Sequence, residues 1–289
     1  MTTTDAAAVE SYLRRLGVDG RPPATLETLV DLHHRHLALV PYENLGIMLG
    51  RPPAVDPLTC LTRVGETGRA GYCFHQNGAV ESALRGLGFS VTRRHGHVWF
   101  AEEDRFGDQL NHLVLVVSGL STPANPAGEW WFDVGLGEGF RDPLPLVPGE
   151  YRQGAFTYRI DRVDDHGWSF HPERPVTFTG IEVTTRSTAL AAVAESHARL
   201  STPPDGVFTR VLVVQRRDES GVDSLRGCVL SRIDQDGRRE ADLTTYDEWR
   251  GALVDVLGLP LGDIADIELR GLWDRMSRTH EEWVAAGRP

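Results

Sequence analysis

Cys73 lies in the stretch GRAGYCFHQNGAVESALRGLGF, where a glycine-rich turn precedes a segment of helical character. A thiol at the start of a helix lies near the positive end of the helix dipole, which favours the nucleophilic thiolate. The opposing interpretation is that a lone cysteine is a small buried apolar residue. Both stay open for Cys73 on this stretch alone, whereas Cys60 and Cys228 lack such a setting and are predicted to serve packing.

A nucleophilic cysteine needs a base, and usually a third group that orients the base. His112 opens the apolar run HLVLVVS, and Asp133 ends the run WWFD. If these runs form neighbouring antiparallel strands, the turn-rich insertion between them is a long hairpin loop, and the side chains of His112 and Asp133 lie side by side. A carboxylate inside an apolar run needs a partner when it is buried, and a histidine is a suitable one.

The chain has 11 histidines, so a histidine near Cys73 is weak support by itself. His33, His34 and His36 share an early helical segment and are expected to be solvated or capping residues. His95 and His97 have the spacing of one strand face, which could suggest a pair of metal ligands. No third ligand follows at a fixed spacing, so no metal site is predicted.

The elements that must position these residues change character along the chain. Residues 5 to about 88 show mostly helical periodicity, with Thr25 as a possible N-cap. Alternating and β-branched runs then predict strands, and a helix over STALAAVAESHARL is followed by further strands and two closing helices. The order is therefore helical, then mostly β, then mixed, which predicts an α+β fold.

Composition limits the classes of function. The 289 residues carry a net charge of −11, which argues against a general nucleic-acid binder because such proteins need a basic face. Three cysteines suit a reducing compartment. The first residues predict a helix rather than a signal peptide, and no run of about 18 apolar residues occurs. We therefore expect a cytoplasmic protein without a membrane partner.

Several motifs together resemble the arylamine N-acetyltransferase family, which includes related amide synthases. They are RAGYCF around Cys73, the upstream PYENL, the strand NHLVLVV that contains His112, and DVGLG beginning at Asp133. They occur in the family's order over about residues 41 to 140, whereas the likeness beyond residue 150 is weak. The resemblance implies that Cys73 is the acyl-accepting nucleophile, His112 its base, and Asp133 the residue that orients His112.

The resemblance also implies a three-part architecture with a Cys-His-Asp core like that of cysteine proteases. Residues 1–88 would form a helical bundle that bears Cys73. Residues 89–186 would form a β-barrel that bears His112 and Asp133, and residues 187–289 an interdomain helix and a C-terminal α/β lid.

Binding residues follow from the same resemblance. Tyr42 stands where the family has a phenylalanine, and Leu136 where it has an aromatic residue that faces the amine, so the acceptor pocket is expected to differ from the usual one. The glycines of GLGEG resemble a phosphate loop, but no Walker lysine follows, and the resemblance places this loop beside coenzyme A. The predicted substrate-binding residues are Tyr42, Phe74 and Leu136, and the predicted cofactor-binding residues are Gly135, Gly137 and Phe208, which ends the stretch STPPDGVF. A structural ion pair between Arg69 and Glu43 is also implied.

Three functions remain open at this stage. The first is transfer of an acetyl group from acetyl-CoA to an arylamine or arylhydrazine through a Cys73 thioester, with ping-pong kinetics and no metal. The second is an amide synthase of natural-product biosynthesis, which takes a longer acyl chain from an acyl carrier protein. The third is an inactive binding module, against which the intact Cys73, His112 and Asp133 argue. No nucleic-acid partner is expected for any of them.

Overall fold

The computed structural model of the chain describes residues 3–173, 176–203 and 206–288. The N-terminal region is helical, and the apolar faces of its longer helices pack together with the first strands of the following sheet. Thr25 caps the second helix as predicted, since its side chain accepts the N–H of Thr28. The helices are α1 (Thr3–Arg15), α2 (Leu26–Leu39), α3 (Leu45–Met48), α4 (Pro57–Thr67) and α5 (Cys73–Gly86).

Helix α5 lies at the centre of this region, and most of its residues are buried. Its first residue is Cys73, which follows Tyr72 in extended conformation. Burial on all sides explains why its amphipathic pattern is weak. It also requires that the polar side chains of its first turns find hydrogen-bond partners inside the protein.

An eight-stranded antiparallel sheet with a barrel-like form follows. Its strand order is β5-β4-β3-β2-β9-β8-β7-β6, and its inner side is filled by aromatic residues such as Trp131, Phe140 and Phe170. The strands are β2 (Ser90–Trp99), β3 (His112–Ser118), β4 (Trp130–Phe132), β5 (Leu144–Pro145), β6 (Gly149–Gln153), β7 (Phe156–Asp164), β8 (Gly167–Pro172) and β9 (Gly180–Ser187).

The predicted pairing of the strands that carry His112 and Asp133 is confirmed. Strands β3 and β4 are antiparallel neighbours, with Leu115 opposite Phe132. This register brings the beginning of β3 next to the chain that leaves β4, which is where His112 and Asp133 lie. Strand β4 ends at Phe132, so Asp133 is the first residue of the loop that follows it.

The C-terminal region contains helix α6 (Leu190–Ser201) and a five-stranded antiparallel sheet. The short strand β1 (Tyr42–Glu43) from the N-terminal region pairs with the first strand of this sheet, β10. Helices cover the sheet, and their apolar residues form a core with Leu212 and Leu225. The remaining elements are β10 (Val213–Arg217), β11 (Gly221–Arg226), β12 (Val229–Asp234), β13 (Gly237–Asp242), α7 (Tyr246–Gly251) with a π-helical turn at Ala252–Val256, and α8 (Asp266–Ala285).

The predicted fold class is confirmed, since a helical region, a barrel-like sheet and a final region of strands and helices follow one another. The helices give way to strands between Gly86 and Ser90. The division of the chain into domains at residues 88 and 186 stays a prediction. In the described part of the chain, no helix combines the length and apolar character needed to cross a membrane.

Candidate active site

The Cys73 thiol lies at the wall of a cavity of about 990 Å³, in which the helical region, the barrel-like sheet and the C-terminal region meet. Its Sγ atom lies 3.7 Å from the carbonyl oxygen of Asn111, the residue before His112. The Asn111 side chain is bonded on both sides to the backbone of Val98 in β2, at 2.7 and 2.8 Å. The start of β3 is therefore fixed to β2, with the carbonyl of Asn111 beside the start of α5.

His112 and Asp133 form a buried pair, with 2.7 Å between Nε2 and Oδ2. Because Nε2 is bonded to Asp133, Nδ1 is the ring nitrogen that can exchange a proton with the Cys73 thiol. Burial by itself would lower the pKa of His112, but the charge and hydrogen bond of Asp133, together with the interaction with Cys73, outweigh burial and raise this pKa to about 10. The imidazolium form therefore predominates at neutral pH, as a thiolate–imidazolium pair requires.

The Asp133 carboxylate accepts four hydrogen bonds, two on each oxygen. Oδ2 accepts from His112 and from Trp131 Nε1 at 3.0 Å. Oδ1 accepts from Asn77 Nδ2 at 2.7 Å and from the N–H of Gly135 at 3.0 Å. Because each donor satisfies one lone pair, the buried Asp133 carboxylate is held in one orientation.

His33 supports Asp133 from the other side, which the sequence did not indicate. Its Nδ1–H donates to the carbonyl of Arg141 at 2.6 Å, and Nε2 accepts the N–H of Asp133 at 3.3 Å. Burial lowers its pKa to about 3, so the ring is neutral. The expectation of solvated or capping residues is wrong for His33 and His36, which are fully buried because α2 packs inside the fold. His34 is partly exposed and pairs with Asp142.

The loop after Asp133 crosses the nucleophile at close range. A Cβ atom at Gly135 would lie 2.8 Å from the Cα of Cys73, so only glycine allows this approach. Gly137 has φ +64°, and a Cβ there would meet the amide of Gln215 at 1.9 Å. Gly137 therefore lets the loop pass the C-terminal sheet rather than presenting a surface to the cavity.

The structure brings most of the predicted binding residues to the cavity. Its wall includes Tyr42, Leu136 and Phe208 together with Gly135. Pro204 and Asp205 of the stretch that ends at Phe208 lie outside the described residues.

Phe74 and Gly137 are not among the residues that line this cavity. The Phe74 side chain is fully buried in an apolar cluster with Ile47, Val55 and Tyr72. Because Phe74 follows Cys73 directly on α5, the two side chains leave the helix in different directions, and only Cys73 of the two reaches the cavity.

A second cavity of about 520 Å³ lies against the C-terminal sheet and α8. It shares Glu138, Gln215 and Arg226 with the active-site cavity, so the two cavities are neighbours. Arg238 and His280 also line this second cavity.

The predicted pairing of Arg69 with Glu43 is wrong. Arg69 forms its ion pair with Asp263 in the C-terminal region, whereas Glu43 lies 3.6 Å from Arg63 and accepts the N–H of Leu45 at 2.6 Å. Arg69 is nevertheless buried, as a structural residue should be. The sequence could not reveal Asp263, since it lies 194 residues from Arg69.

His95 and His97 have partners other than a metal. His95 Nδ1 accepts from Arg186 at 2.9 Å, and His97 contacts the carbonyls of Gln109 and Asp104. In the described ranges no group of three or more His, Cys, Asp or Glu side chains could hold a metal ion.

Comparisons with known proteins agree on one family. A family model described as N-acetyltransferase matches residues 25–267. The arylamine N-acetyltransferase of Mycolicibacterium smegmatis is 29% identical over 270 residues, covering 90% of this chain and 95% of that protein. Proansamycin X synthase of Amycolatopsis mediterranei is 31% identical over 157 residues, 53% of this chain and 57% of that protein. The structure of Mycobacterium marinum arylamine N-acetyltransferase in complex with CoA covers 93% of this chain and 98% of its own, with 25% identity and a TM-score of 0.82.

Proposed function

The chain belongs to the arylamine N-acetyltransferase family, and from this premise we propose that it transfers an acetyl group from acetyl-CoA to an arylamine or arylhydrazine through a thioester on Cys73. The observation that carries the proposal is the 2.7 Å bond between His112 and Asp133 beside the Cys73 thiol. It supports a thiolate–imidazolium pair at the wall of a cavity large enough for both substrates.

In the first half-reaction the Cys73 thiolate attacks the carbonyl carbon of the thioester. The first N–H groups of an α-helix have no partner within the helix, and those at the start of α5, beside Cys73, would donate to the developing oxyanion. The bond between the acetyl carbon and the coenzyme A sulfur then breaks, and the leaving thiolate takes the proton of the His112 imidazolium. Free coenzyme A leaves, and Cys73 carries the acetyl group opposite a neutral His112.

In the second half-reaction the amine nitrogen attacks the acetyl carbon, and His112 accepts a proton from that nitrogen. The bond between the carbon and Cys73 Sγ breaks, which releases the acetamide and restores the thiolate and the imidazolium. Because both half-reactions use one cysteine and one histidine, coenzyme A leaves before the amine reacts, and the kinetics are ping-pong.

The second cavity supports a place for the phosphate-bearing end of coenzyme A. Arg226 borders both cavities, and Arg238 lines the second one, so the second cavity has cationic groups that could bind phosphates. Gly135 and Gly137 let the loop pass close to Cys73 and to Gln215, so this loop narrows the passage beside the thiol rather than forming a phosphate cradle. We also propose a cytoplasmic location, which the three free thiols of the described chain support.

An amide synthase that accepts a longer acyl chain from a carrier protein is the second candidate. The match to proansamycin X synthase and the size of the active-site cavity favour it. The exposed side chains of Phe100 and Phe106 at the cavity wall would also suit an apolar substrate.

Intact-mass measurement after mixing with acyl donors tests the proposal. Acetyl-CoA should add one acetyl group to the wild type, and to Cys60→Ala and Cys228→Ala, but none to Cys73→Ala. Burial raises the pKa of Cys60 to about 12 and that of Cys228 to about 11, so neither competes as a nucleophile. An arylamine should then remove the adduct and yield the acetamide. Adducts confined to longer acyl donors would favour the amide synthase, and no adduct with any thioester would favour a binding module.

A further inference from the structure

The side-chain amide of Asn77 touches all three segments that carry Cys73, His112 and Asp133. Asn77 lies one helical turn after Cys73 on α5. Its Nδ2 donates to the carbonyl of Leu113, the residue after His112, at 2.6 Å and to Asp133 Oδ1 at 2.7 Å. Its Oδ1 accepts the N–H of Val134 at 3.1 Å.

We propose that Asn77 is a positioning residue that holds the Asp133 carboxylate against His112 and fixes both relative to the helix of Cys73. This inference rests on the proposed function, because it assigns Asn77 a part in the reactivity of Cys73. The side chain is fully buried and does not line either cavity described above. It therefore acts on the reaction through Asp133 and the backbone rather than through contact with a substrate.

The hydrogen bonds of Asp133 explain why a single amide matters. Oδ2 is shared by His112 and Trp131, and Oδ1 by Asn77 and the N–H of Gly135. Without Asn77, Oδ1 keeps one donor, and the carboxylate can turn about its Cβ–Cγ bond to recover a second one. Turning draws Oδ2 away from His112 Nε2, so the carboxylate supports the imidazolium less well and the thiolate forms at higher pH.

Gln76 provides a matched control on the same helix. It is also a fully buried amide with three hydrogen bonds, but its partners are the carbonyls of Pro41 and Gly71 and the ring of His36. Asn77→Ala and Gln76→Ala therefore remove comparable burial and hydrogen bonding, and only Asn77→Ala removes a contact with Asp133. A merely structural role would give both variants the same phenotype.

The experiment measures the rate of Cys73 alkylation by iodoacetamide from pH 5 to 10, with kcat and KM for acetyl-CoA and the melting temperature. We expect Asn77→Ala to move the alkylation midpoint upward by about one pH unit. It should also lower kcat by about 10- to 100-fold, the range seen when partners that orient a ligating side chain are removed, and leave KM nearly unchanged. Gln76→Ala should lower the melting temperature without moving the midpoint.

An unchanged midpoint and kcat in folded Asn77→Ala, or equal shifts in both variants, would overturn the inference. If Asn77→Ala does not fold, Asn77→Asp keeps the shape and the acceptor for Val134. It places a carboxylate oxygen against Asp133 Oδ1 where an N–H had donated, so a kcat within twofold of wild type at pH 8 would also overturn the inference. Failure of the proposed function is distinguishable, because the wild type itself would then form no acetyl adduct on Cys73.

Discussion

Replacing Asp133 by asparagine tests whether its charge or only its shape supports His112. Four donors surround the carboxylate, and two of them, Trp131 Nε1 and the N–H of Gly135, cannot act as acceptors. The NH₂ group of an asparagine must face one of these two, whichever way the amide turns. If the NH₂ group faces Trp131, it also faces His112 Nε2. Nε2 must then accept a hydrogen bond, so the proton of the neutral imidazole moves to Nδ1, beside the Cys73 thiol.

The size of the effect follows from the charge pair. Two charges whose centres lie about 4 Å apart interact by about 4 kcal/mol at an effective dielectric constant of about 20. At about 1.4 kcal/mol for each factor of ten, loss of this interaction reduces the population of the ion pair about 10³-fold. The same exchange in the Ser-His-Asp triad lowers kcat about 10⁴-fold. We therefore expect acyl-enzyme formation to slow by about 10³- to 10⁴-fold.

The sign of the pH effect follows from His112. Burial lowers the pKa of His112, and the charge and hydrogen bond of Asp133, together with the interaction with Cys73, outweigh burial and raise the pKa to about 10. With asparagine at position 133 burial remains and only the interaction with Cys73 still opposes it, so the pKa of His112 should fall far below that of the wild type. The thiol then loses its cationic partner at neutral pH, and Cys73 alkylation should require a higher pH than in the wild type.

The assay combines alkylation of Cys73 between pH 5 and 10 with rapid-quench measurement of the acetyl adduct, and thermal unfolding as a control for folding. Alkylation profiles that superimpose for Asp133→Asn and the wild type would refute the reasoning. Asp133 would then have no part in the chemistry, and a Cys73–His112 pair would have to suffice.

Two further predictions concern stability. Arg69→Ala should destabilise the fold by about 1–3 kcal/mol. This is less than the about 3–5 kcal/mol typical of a fully buried pair, because Asp263 is half exposed. Urea unfolding measures the free energy of unfolding, and weakened acetyl-CoA binding at unchanged stability would contradict the prediction. Burial lowers the pKa of His33 to about 3, of His36 to about 4 and of His75 to about 3. Between these pKa values and about 6.5, the three histidines bind protons only in the unfolded chain. The free energy of unfolding should therefore fall as the pH falls from about 6.5 to 4, by about 1.4 kcal/mol for each histidine and each pH unit. Equal free energies of unfolding at pH 7 and pH 5 would contradict this prediction.

The sequence predicted the elements that depend on short patterns. Helix α2 begins after Thr25 as its capping residue requires, and β3 and β4 pair as their apolar runs and the intervening turn indicate. Strands β11 (GVDSLR) and β13 (GRREAD) lack the alternating apolar pattern that predicts a strand. Both pair with neighbouring strands of the sheet, so pairing rather than local preference makes them strands.

Residues of the candidate site that lie in short sequence motifs could be predicted. Residues whose hydrogen-bond partners lie far away along the chain could not. Cys73, His112 and Asp133 each stand in a recognisable motif. Asn77 and His33 do not, because a buried amide or histidine gives no sequence signal until its partners are known. His33 contacts Asp133 across 100 residues of chain, whereas its place in a helical segment predicted only a solvated or capping residue.

A double-mutant cycle links the charge of Asp133 to the orientation that Asn77 provides. Asp133→Asn removes the charge but keeps the amide of Asn77, and Asn77→Ala keeps the charge but removes one of its donors. If Asn77 acts only by orienting Asp133, it has nothing left to orient once the carboxylate is gone. Asn77→Ala should then cost much less in the Asp133→Asn background than in the wild type, since contacting residues couple. Additive losses in log kcat would instead mean that Asn77 acts through Leu113 and Val134 alone, as support for the backbone.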